Sequence, residues 1–559
     1  MTRPHYLLAI HEDTNANATL FADGVPVFAV AEERLTRDRF AAGFPHHSVQ
    51  AALDFAGLTL ADLDAIAPAN RLHFLPRVAP QLIGGEHDYF GAKHKAWLYL
   101  QHLLARQPTL GALTGQISRV LLQRKLPKLL DFVDHHTAHA ASAWLTSGWP
   151  QCTVLTADNL GDGWSAKVFA AGPNGLQFHY GSTARHSPGQ FYGEIAQLLG
   201  FHSLLAGKVT GLAAHGDPLP AYALMADLFS LAPDGRSFVS PALWSRDRRA
   251  GRYKHLLTHK PADIAAAAQR RLEEVVVAWV QHAVHATGCG NVAVAGGVFA
   301  NVVVNQKILA LPDVQALWVH PAMTDQGISM GAGLWHLHQQ GRIAAQPMGS
   351  VFLGPTLTDG ACRQALQRAQ LPALEPPDMA QTAADALVAG KVVARCVGRM
   401  EYGPRALGNR SILCRADDPS ANQWLNARLK RSEFMPFAPV TLEEHAAARY
   451  LGLDGGSDAA RYMTLTCPVT PLLRQESPGV VHLDGTARPQ VLRASDNPGY
   501  HAIVQRYFEM TGVPTLVNTS LNMHSEPIVC SAKDAVAAYQ QGQLDCLILG
   551  PYWVQRAES

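Results

Sequence analysis

The sequence predicts a two-domain α/β protein whose N-terminal domain contains one structural unit twice. Three observations carry this. The chain has 559 residues, more than one hydrophobic core usually organises. Hydrophobic residues make up 48% of it and charged residues only 16%, a balance that fits sheets covered on both faces and excludes a disordered chain. A strand, a polar loop and a hairpin stand at the start, and the same series returns from Thr153 onward.

The first unit reads as a strand over 6–10, a polar loop over 11–15, and a hairpin of 18–21 with 26–30. Asp23-Gly24 turns that hairpin, because both residues tolerate the positive φ of a type I′ turn. The second unit has a strand over 153–156, a polar glycine-bearing loop over 158–163, and a hairpin of 166–170 with 176–180. Two such units with their loops facing one cleft are the architecture of the actin-like ATPase and sugar-kinase superfamily, so an ASKHA-type N-terminal domain is expected. A helical stretch over 84–130 reads as a cover on the sheet, and a helix over 272–286 leads into a strand at 291–295. Glycines and prolines cluster over 341–356, which sets the expected domains at 1–350 and 351–559, the second also α/β.

Charge and cysteine usage narrow the function classes. With 46 Lys and Arg against 45 Asp and Glu, the net charge is +1, and no general field would hold a polyanion such as nucleic acid. The eight cysteines form no C-x-x-C pair and no disulfide-like cluster, which fits a reducing, cytoplasmic setting. The N-terminal apolar run is too short for a signal peptide, and no segment is long enough to span a bilayer. A soluble protein with neither a membrane nor a nucleic-acid partner is expected.

His135 and His139, four apart in Asp134-His-His-Thr-Ala-His, would stack on one helix face and reach one cation. Asp158 ends the second unit's first strand, and Asp325 follows a strand at 316–319. Two imidazoles and two carboxylates would suit Fe(II), Mn(II) or Zn(II) better than Ca(II). Taken singly, either aspartate reads equally as a turn or helix cap. Gly296 and Gly297, leading toward Asn301, follow a strand and would let backbone N–H groups approach a phosphate. Lys208 lies between two glycines and could meet an anion. In the C-terminal domain Arg399, Arg405 and Arg410 share a glycine- and proline-shaped loop, a setting for bidentate contact with phosphate or carboxylate. Lys430, Arg488, Asn518 and Ser520 add cationic and hydroxyl groups, so a small phosphorylated substrate is expected.

At Ala31-Glu-Glu-Arg-Leu-Thr-Arg, Asp134-His-His-Thr-Ala-His-Ala-Ala-Ser, Lys208-Val-Thr-Gly-Leu-Ala-Ala-His-Gly, Gly398-Arg-Met-Glu-Tyr-Gly-Pro-Arg-Ala-Leu-Gly-Asn-Arg-Ser and Asn518-Thr-Ser-Leu-Asn, the chain resembles the O-carbamoyltransferases of tobramycin and nodulation-factor type. The resemblance runs almost end to end. It implies a C-terminal domain like threonylcarbamoyl-AMP synthase, which makes carbamoyl-adenylate from carbamoyl phosphate and ATP with Mg(II). It implies an N-terminal domain that moves the carbamoyl group to a small-molecule hydroxyl with a divalent cation, Fe(II) foremost and Mn(II) or Zn(II) as alternatives. His135, His139, Asp158 and Asp325 fall on the family's metal positions, and Arg405, Lys430, Arg488 and Ser520 on its carbamoyl-phosphate and ATP positions.

The sequence departs from the family pattern twice. Thr14 stands where many relatives have a histidine near the transferred group, which shifts deprotonation or positioning onto His11, Glu12 or Asp13 beside it. Met435 stands where an arginine is common. The family's habit implies a homodimer. Rival readings are a tRNA threonylcarbamoyl transferase, against which the balanced charge counts, and a catalytically idle nucleotide-binding scaffold. Sugar, polyketide and alkaloid hydroxyls, and a nitrogen acceptor, all stay open.

Overall fold

The computed structural model describes residues 3–70, 126, 128, 132–240, 252–430 and 437–556. Apart from Leu126 and Lys128, the stretch read as a helical cover lies outside the described residues from position 84 to 130, as does Met435. The chain divides into two compact units, one of Met1–Ala29 with Ala42–Met348 and one of Val30–Ala41 with Gly349–Ser559.

The first unit holds two mixed sheets built on one plan. In one, the order is Val25–Ala31, Asn17–Ala22, Tyr6–His11, Ala65–Pro68, with Tyr6–His11 antiparallel to its hairpin neighbour and parallel to Ala65–Pro68. In the other, Cys152–Gly161 takes the central place, with Trp164–Gly172 and Gly175–Thr183 antiparallel on one side and Asn291–Ala295 and Ala316–Val319 parallel on the other. This is the duplicated actin-like arrangement that the two sequence units predict. Asp-Gly turns with both residues at positive φ join Asn17–Ala22 to Val25–Ala31, at Asp23 (49°) and Gly24 (85°), and Cys152–Gly161 to Trp164–Gly172, at Asp162 (49°) and Gly163 (86°). Trp164–Gly172 and Gly175–Thr183 turn at Pro173-Asn174.

Two local expectations change. Residues 158–163, read as a loop, are strand through Gly161, and the ladder shifts register between Ala157 and Gly161. A bulge there absorbs the extra residues, so the polar side chains mark a re-aimed strand and not its end. The helix read over 272–286 is Pro261–Thr287. Pro261 opens its first turn, and the alanines at 265–268 carry strong helix propensity over residues whose pattern alone looked featureless. This helix buries Trp279 against Phe238 at 4.9 Å, while Phe191 stacks on Phe229 at 4.8 Å, and these rings centre the unit's core. A second helix, Ile328–Gln339, packs on His135–Leu145 so closely that a Cβ at Gly331 would lie 1.8 Å from the Ala138 carbonyl oxygen.

The second unit is a seven-stranded sheet in the order Gln490–Leu492, Ala438–Leu442, Thr515–Ser520, Arg410–Arg415, Val393–Cys396, Cys546–Leu549, Tyr552–Gln555. Its strands are buried on both faces and carry apolar residues toward each. Ile412, Val517 and Leu547 pack into one core, while Leu413, Leu516 and Ile548 pack into the other. Asn518 and Ser520, expected after a strand, lie on it. Residues Val30–Ala41 complete this unit: Leu35 packs with Met400, Ala406, Ile528 and Cys530, and Arg37 donates to the carbonyls of Ile528 (2.7 Å) and Pro527 (2.8 Å). Among the described residues no helix is long and apolar enough to cross a membrane.

Trp279→Ala removes the largest ring of the first unit's core. It should lower that unit's stability in urea by about 3–5 kcal/mol; an unchanged unfolding midpoint would contradict the core assignment.

Candidate metal centre and anion-binding loop

The metal-site helix begins at a strongly built cap. Asp134 accepts from the Thr137 N–H and hydroxyl, each at 3.0 Å, and forms a buried ion pair with Lys167 at 2.8 Å. Burial raises the Asp134 carboxyl most, but the Lys167 ammonium, the His136 ring and the Thr137 N–H together outweigh it and hold the group below the usual range. The His135 N–H donates to the Asp162 carboxylate at 2.8 Å, so the second hairpin's turn also pins the helix start. His135 and His139 then project from one face, their ring centroids 4.7 Å apart.

Asp158 reaches them from the strand bulge and Asp325 from a 3₁₀ turn, Asp325–Gly327. His139 Nε2 stands 3.1 Å from an oxygen of each aspartate, and His135 Nε2 stands 3.8 and 3.6 Å from the same two oxygens. One donor atom from each residue lies within 4.8 Å of every other. That spacing suits four donors at about 2.0–2.2 Å around a single cation. Among the described residues the buried His135 Nε2 has no hydrogen-bond partner and faces into the cluster, so the residues fit a divalent ion of the nitrogen- and oxygen-binding kind.

Space for the cluster is made by main chain without side chains. A Cβ at Gly161 would sit 2.1 Å from the His135 ring, and one at Gly297 would come 3.0 Å from Asp158 Oδ1. Gly296 and Gly297, expected to approach a phosphate, here pack on the strand that carries Asp158, with the Gly296 N–H donating to Met323 O at 2.7 Å. Asn301 caps the Val302–Leu309 helix, accepting from Val304 N at 3.2 Å, and donates to Gln269 at 2.9 Å.

Charges inside the cluster are tightly balanced. Burial disfavours charge on Asp158, yet the two imidazoles hold its carboxyl well below the ordinary range. Burial first, and then the nearby Asp158 charge, raise Asp325. Burial would depress His139, but hydrogen bonds and charge from both aspartates prevail and push it up to about 9.

The first polar loop lies beside this cluster. His11 is fully buried, with Nε2 3.2 Å from the Thr14 carbonyl oxygen. Asp13 has φ 144° and accepts from Thr14 N at 2.8 Å, and burial is the main reason its carboxyl is pushed up to about 6. Lys208, on the Gly207–Ala213 helix, places its ammonium 5.9 Å from the Phe201 ring centroid. Asn70, which no local sequence pattern marks, accepts from His135 Nδ1 at 2.7 Å.

In the second unit the arginine loop is organised around a carboxylate. Glu401 Oε1 accepts from the N–H groups of Leu407 (2.9 Å), Asn409 (2.7 Å) and Arg410 (2.9 Å). Arg410, expected to contact a ligand, is fully buried with its guanidinium on the carbonyls of Val397, Gly398, Asn409 and Cys530; it braces the loop. Arg399 likewise donates to Leu353 O at 2.6 Å and Gly354 O at 3.3 Å. Asn518 donates to Ala406 O (3.1 Å) and Gln490 (2.6 Å), and Gln490 donates to Leu407 O (3.0 Å). That buried network draws together the backbones next to Arg405, Arg488 and Ser520. Burial lowers the Arg405 guanidinium to about 10, and the Ser520 hydroxyl donates to Asn522 at 2.5 Å. Lys430 is exposed, at φ 54°, and its neighbour Leu429 accepts from His524 N at 3.3 Å.

A duplicated actin-like unit with a buried nitrogen–oxygen donor cluster, continuous with a seven-stranded α/β unit, defines the class. Residues 9–334 match the carbamoyltransferase N-terminus and residues 384–556 the carbamoyltransferase C-terminus, and the chain belongs to the carbamoyltransferase family. It is 33% identical to nodulation protein NolNO of Sinorhizobium fredii over 96% of this chain and 78% of that protein. It is also 33% identical to nodulation protein NolO of Bradyrhizobium diazoefficiens, over 76% of this chain and 79% of that one. Among solved structures, component A of the Acidaminococcus fermentans (R)-2-hydroxyglutaryl-CoA dehydratase is 15% identical, with 59% of this chain and 97% of that chain covered and a TM-score of 0.33. Full-length HypF is 12% identical, with 59% and 55% covered and a TM-score of 0.34.

Three outcomes follow from the cluster. Gly161→Ala should weaken Co(II) binding at least about tenfold by displacing the His135 ring, with the far-UV spectrum unchanged; equilibrium dialysis reads this directly. At pH 7.5 the metal-free protein carries a proton on His139, so cation uptake should release about one proton, measured as a buffer-dependent enthalpy in titration calorimetry. The sign for stability is set by the raised value. The His139 contribution is full below its ordinary 6.5 and fades as pH climbs through about 9, so metal-free protein should melt earlier at pH 10 than at pH 7.

Proposed function

We propose that the chain forms carbamoyl-adenylate from carbamoyl phosphate and ATP and transfers the carbamoyl group to a hydroxyl of a small molecule. The observation that carries this is the four-donor cluster of His135, His139, Asp158 and Asp325 in a chain whose two halves match carbamoyltransferase termini. A carbamoyl carbonyl is a weak electrophile, and joining it to AMP as a mixed anhydride supplies a good leaving group. In the balanced sequence, water releases phosphate from carbamoyl phosphate, the carbamate oxygen attacks the α-phosphorus of ATP, and pyrophosphate departs with its Mg(II). The acceptor oxygen then attacks the carbamoyl carbon, its proton passes to a base, and AMP leaves.

Arg405, Arg488, Lys430 and Ser520 hold the phosphoryl groups in this scheme. Arg405, lowered only to about 10, stays cationic at neutral pH and can meet charge as it develops. Arg410 and Glu401 keep the loop in shape. A divalent cation, Fe(II) foremost, supplies Lewis acidity toward the carbamoyl carbonyl or the adenylate phosphate when bound. Asp13 takes the acceptor's proton, a role suited to a carboxyl raised to about 6 mainly by its burial. Lys208 positions the anionic part of the adenylate. The setting is cytoplasmic, the active form a homodimer, and the acceptor a natural-product hydroxyl.

Mixing protein, ATP, carbamoyl phosphate and Fe(II) should yield carbamoyl-AMP by mass spectrometry. His139→Ala should abolish transfer while sparing adenylate formation, and Arg405→Ala should abolish adenylate formation. Equal loss of both steps in both variants would defeat the division of labour.

A further inference from the structure

The imidazole of His135 can ligate through Nε2 only if its other nitrogen carries the proton. A chain of hydrogen bonds with one fixed end decides which tautomer is present. The Thr14 carbonyl can only accept, so His11 Nε2, 3.2 Å away, is the protonated nitrogen of that ring. A neutral His11 then offers a lone pair at Nδ1, and the group facing it at 3.5 Å is Asn70 Nδ2, a donor. That orientation turns Asn70 Oδ1 toward His135, where it accepts from Nδ1 at 2.7 Å. With Nδ1 protonated, His135 Nε2 is left as a lone pair, and it is the buried atom that faces Asp158 and Asp325 with no hydrogen-bond partner.

We infer that Asn70 is a positioning residue that locks His135 in its Nε2-ligating tautomer, and that His11 orients Asn70 and so ties the first polar loop to the cation site. The inference rests on the metal reading above and deepens it. On this assignment His11 is a strut: its Nε2 proton is committed to a backbone carbonyl and its lone pair to an amide, which leaves the proton of the acceptor hydroxyl to a carboxylate of the same loop, Glu12 or, as proposed, Asp13. Asn70 itself is held at the end of a short strand. Ala65–Pro68 pairs in parallel with Tyr6–His11, and the Ala69 N–H donates to Ile10 O at 2.9 Å, so the residues next to His11 and Asn70 are bonded main chain to main chain. A rigid two-strand mount of this kind fixes a ligand's orientation better than a loop would.

The test uses the full chain with Co(II) alone, followed by its visible absorption. Asn70→Leu removes both arms and should weaken Co(II) binding about 10–100-fold, while Asn70→Asp keeps an acceptor for His135 Nδ1 and should bind at least as tightly as the wild type. Nitrogen-15 spectra of the Zn(II)-loaded wild type should show His135 protonated at Nδ1 and His11 protonated at Nε2. His139→Ala separates the two levels of the reading. If it binds Co(II) as the wild type does, the metal site falls and this inference with it. If it loses Co(II) but Asn70→Leu does not, or if His135 proves to be bound through Nδ1, the role of Asn70 is overturned while the metal site stands. Should Asn70→Leu fail to fold, the nitrogen-15 assignment and Asn70→Asp still decide the matter.

Discussion

Two carboxylates and two imidazoles buried within reach of one another set the terms for the rest of the first unit. In a medium of low polarity, Asp158 and Asp325 repel, and either a proton on His139 or a cation must stand between them. A chain that could relax would simply part them. Here it cannot, because one aspartate rides on a bulged central strand, the other on a turn whose carbonyl accepts from Asn17 at 2.7 Å, and the histidines on a helix capped twice over. The close approach at Gly331 presses the helix behind Asp325 against the helix that bears the histidines. Rigidity of this kind is what the proposed cation site needs, since an ion bound there would relieve the electrostatic cost of the empty state.

Much of this was legible in the residue pattern. The i, i+4 histidines after an aspartate, the hairpin turned by Asp23-Gly24 and Asp325 beyond the strand at 316–319 each follow from short-range rules, and the family match extends over both halves. What short-range rules hid were contacts between distant segments. Arg410 looked like a ligand-binding arginine because its loop is rich in glycine, yet its guanidinium is taken up by four carbonyls, those of Val397, Gly398, Asn409 and Cys530. Asp158 looked like the start of a loop because a bulge breaks the two-residue alternation by which strands are recognised. Asn70 had no signal at all, since its meaning depends on a neighbour 65 residues away.

The second unit manages its charges differently. It satisfies a buried glutamate with three backbone N–H groups and buried arginines with carbonyls, so the loop's shape is fixed before any substrate arrives. In the proposed scheme Arg405, Arg488 and Ser520, close in sequence to residues of that frame, meet the phosphoryl groups, and a frame ordered in advance lowers the cost of engaging a ligand.

Residues Val30–Ala41 carry a consequence for how the protein is made. Arg37 waits for a carbonyl 491 positions downstream. At ribosomal speeds of about 5–20 residues per second, that gap is on the order of 25–100 s, and Leu35 lacks Ile528 and Cys530, two of its four native apolar neighbours, until its end. The C-terminal unit therefore closes only once Pro527 and Ile528 have been synthesised, around a segment made some 490 residues earlier.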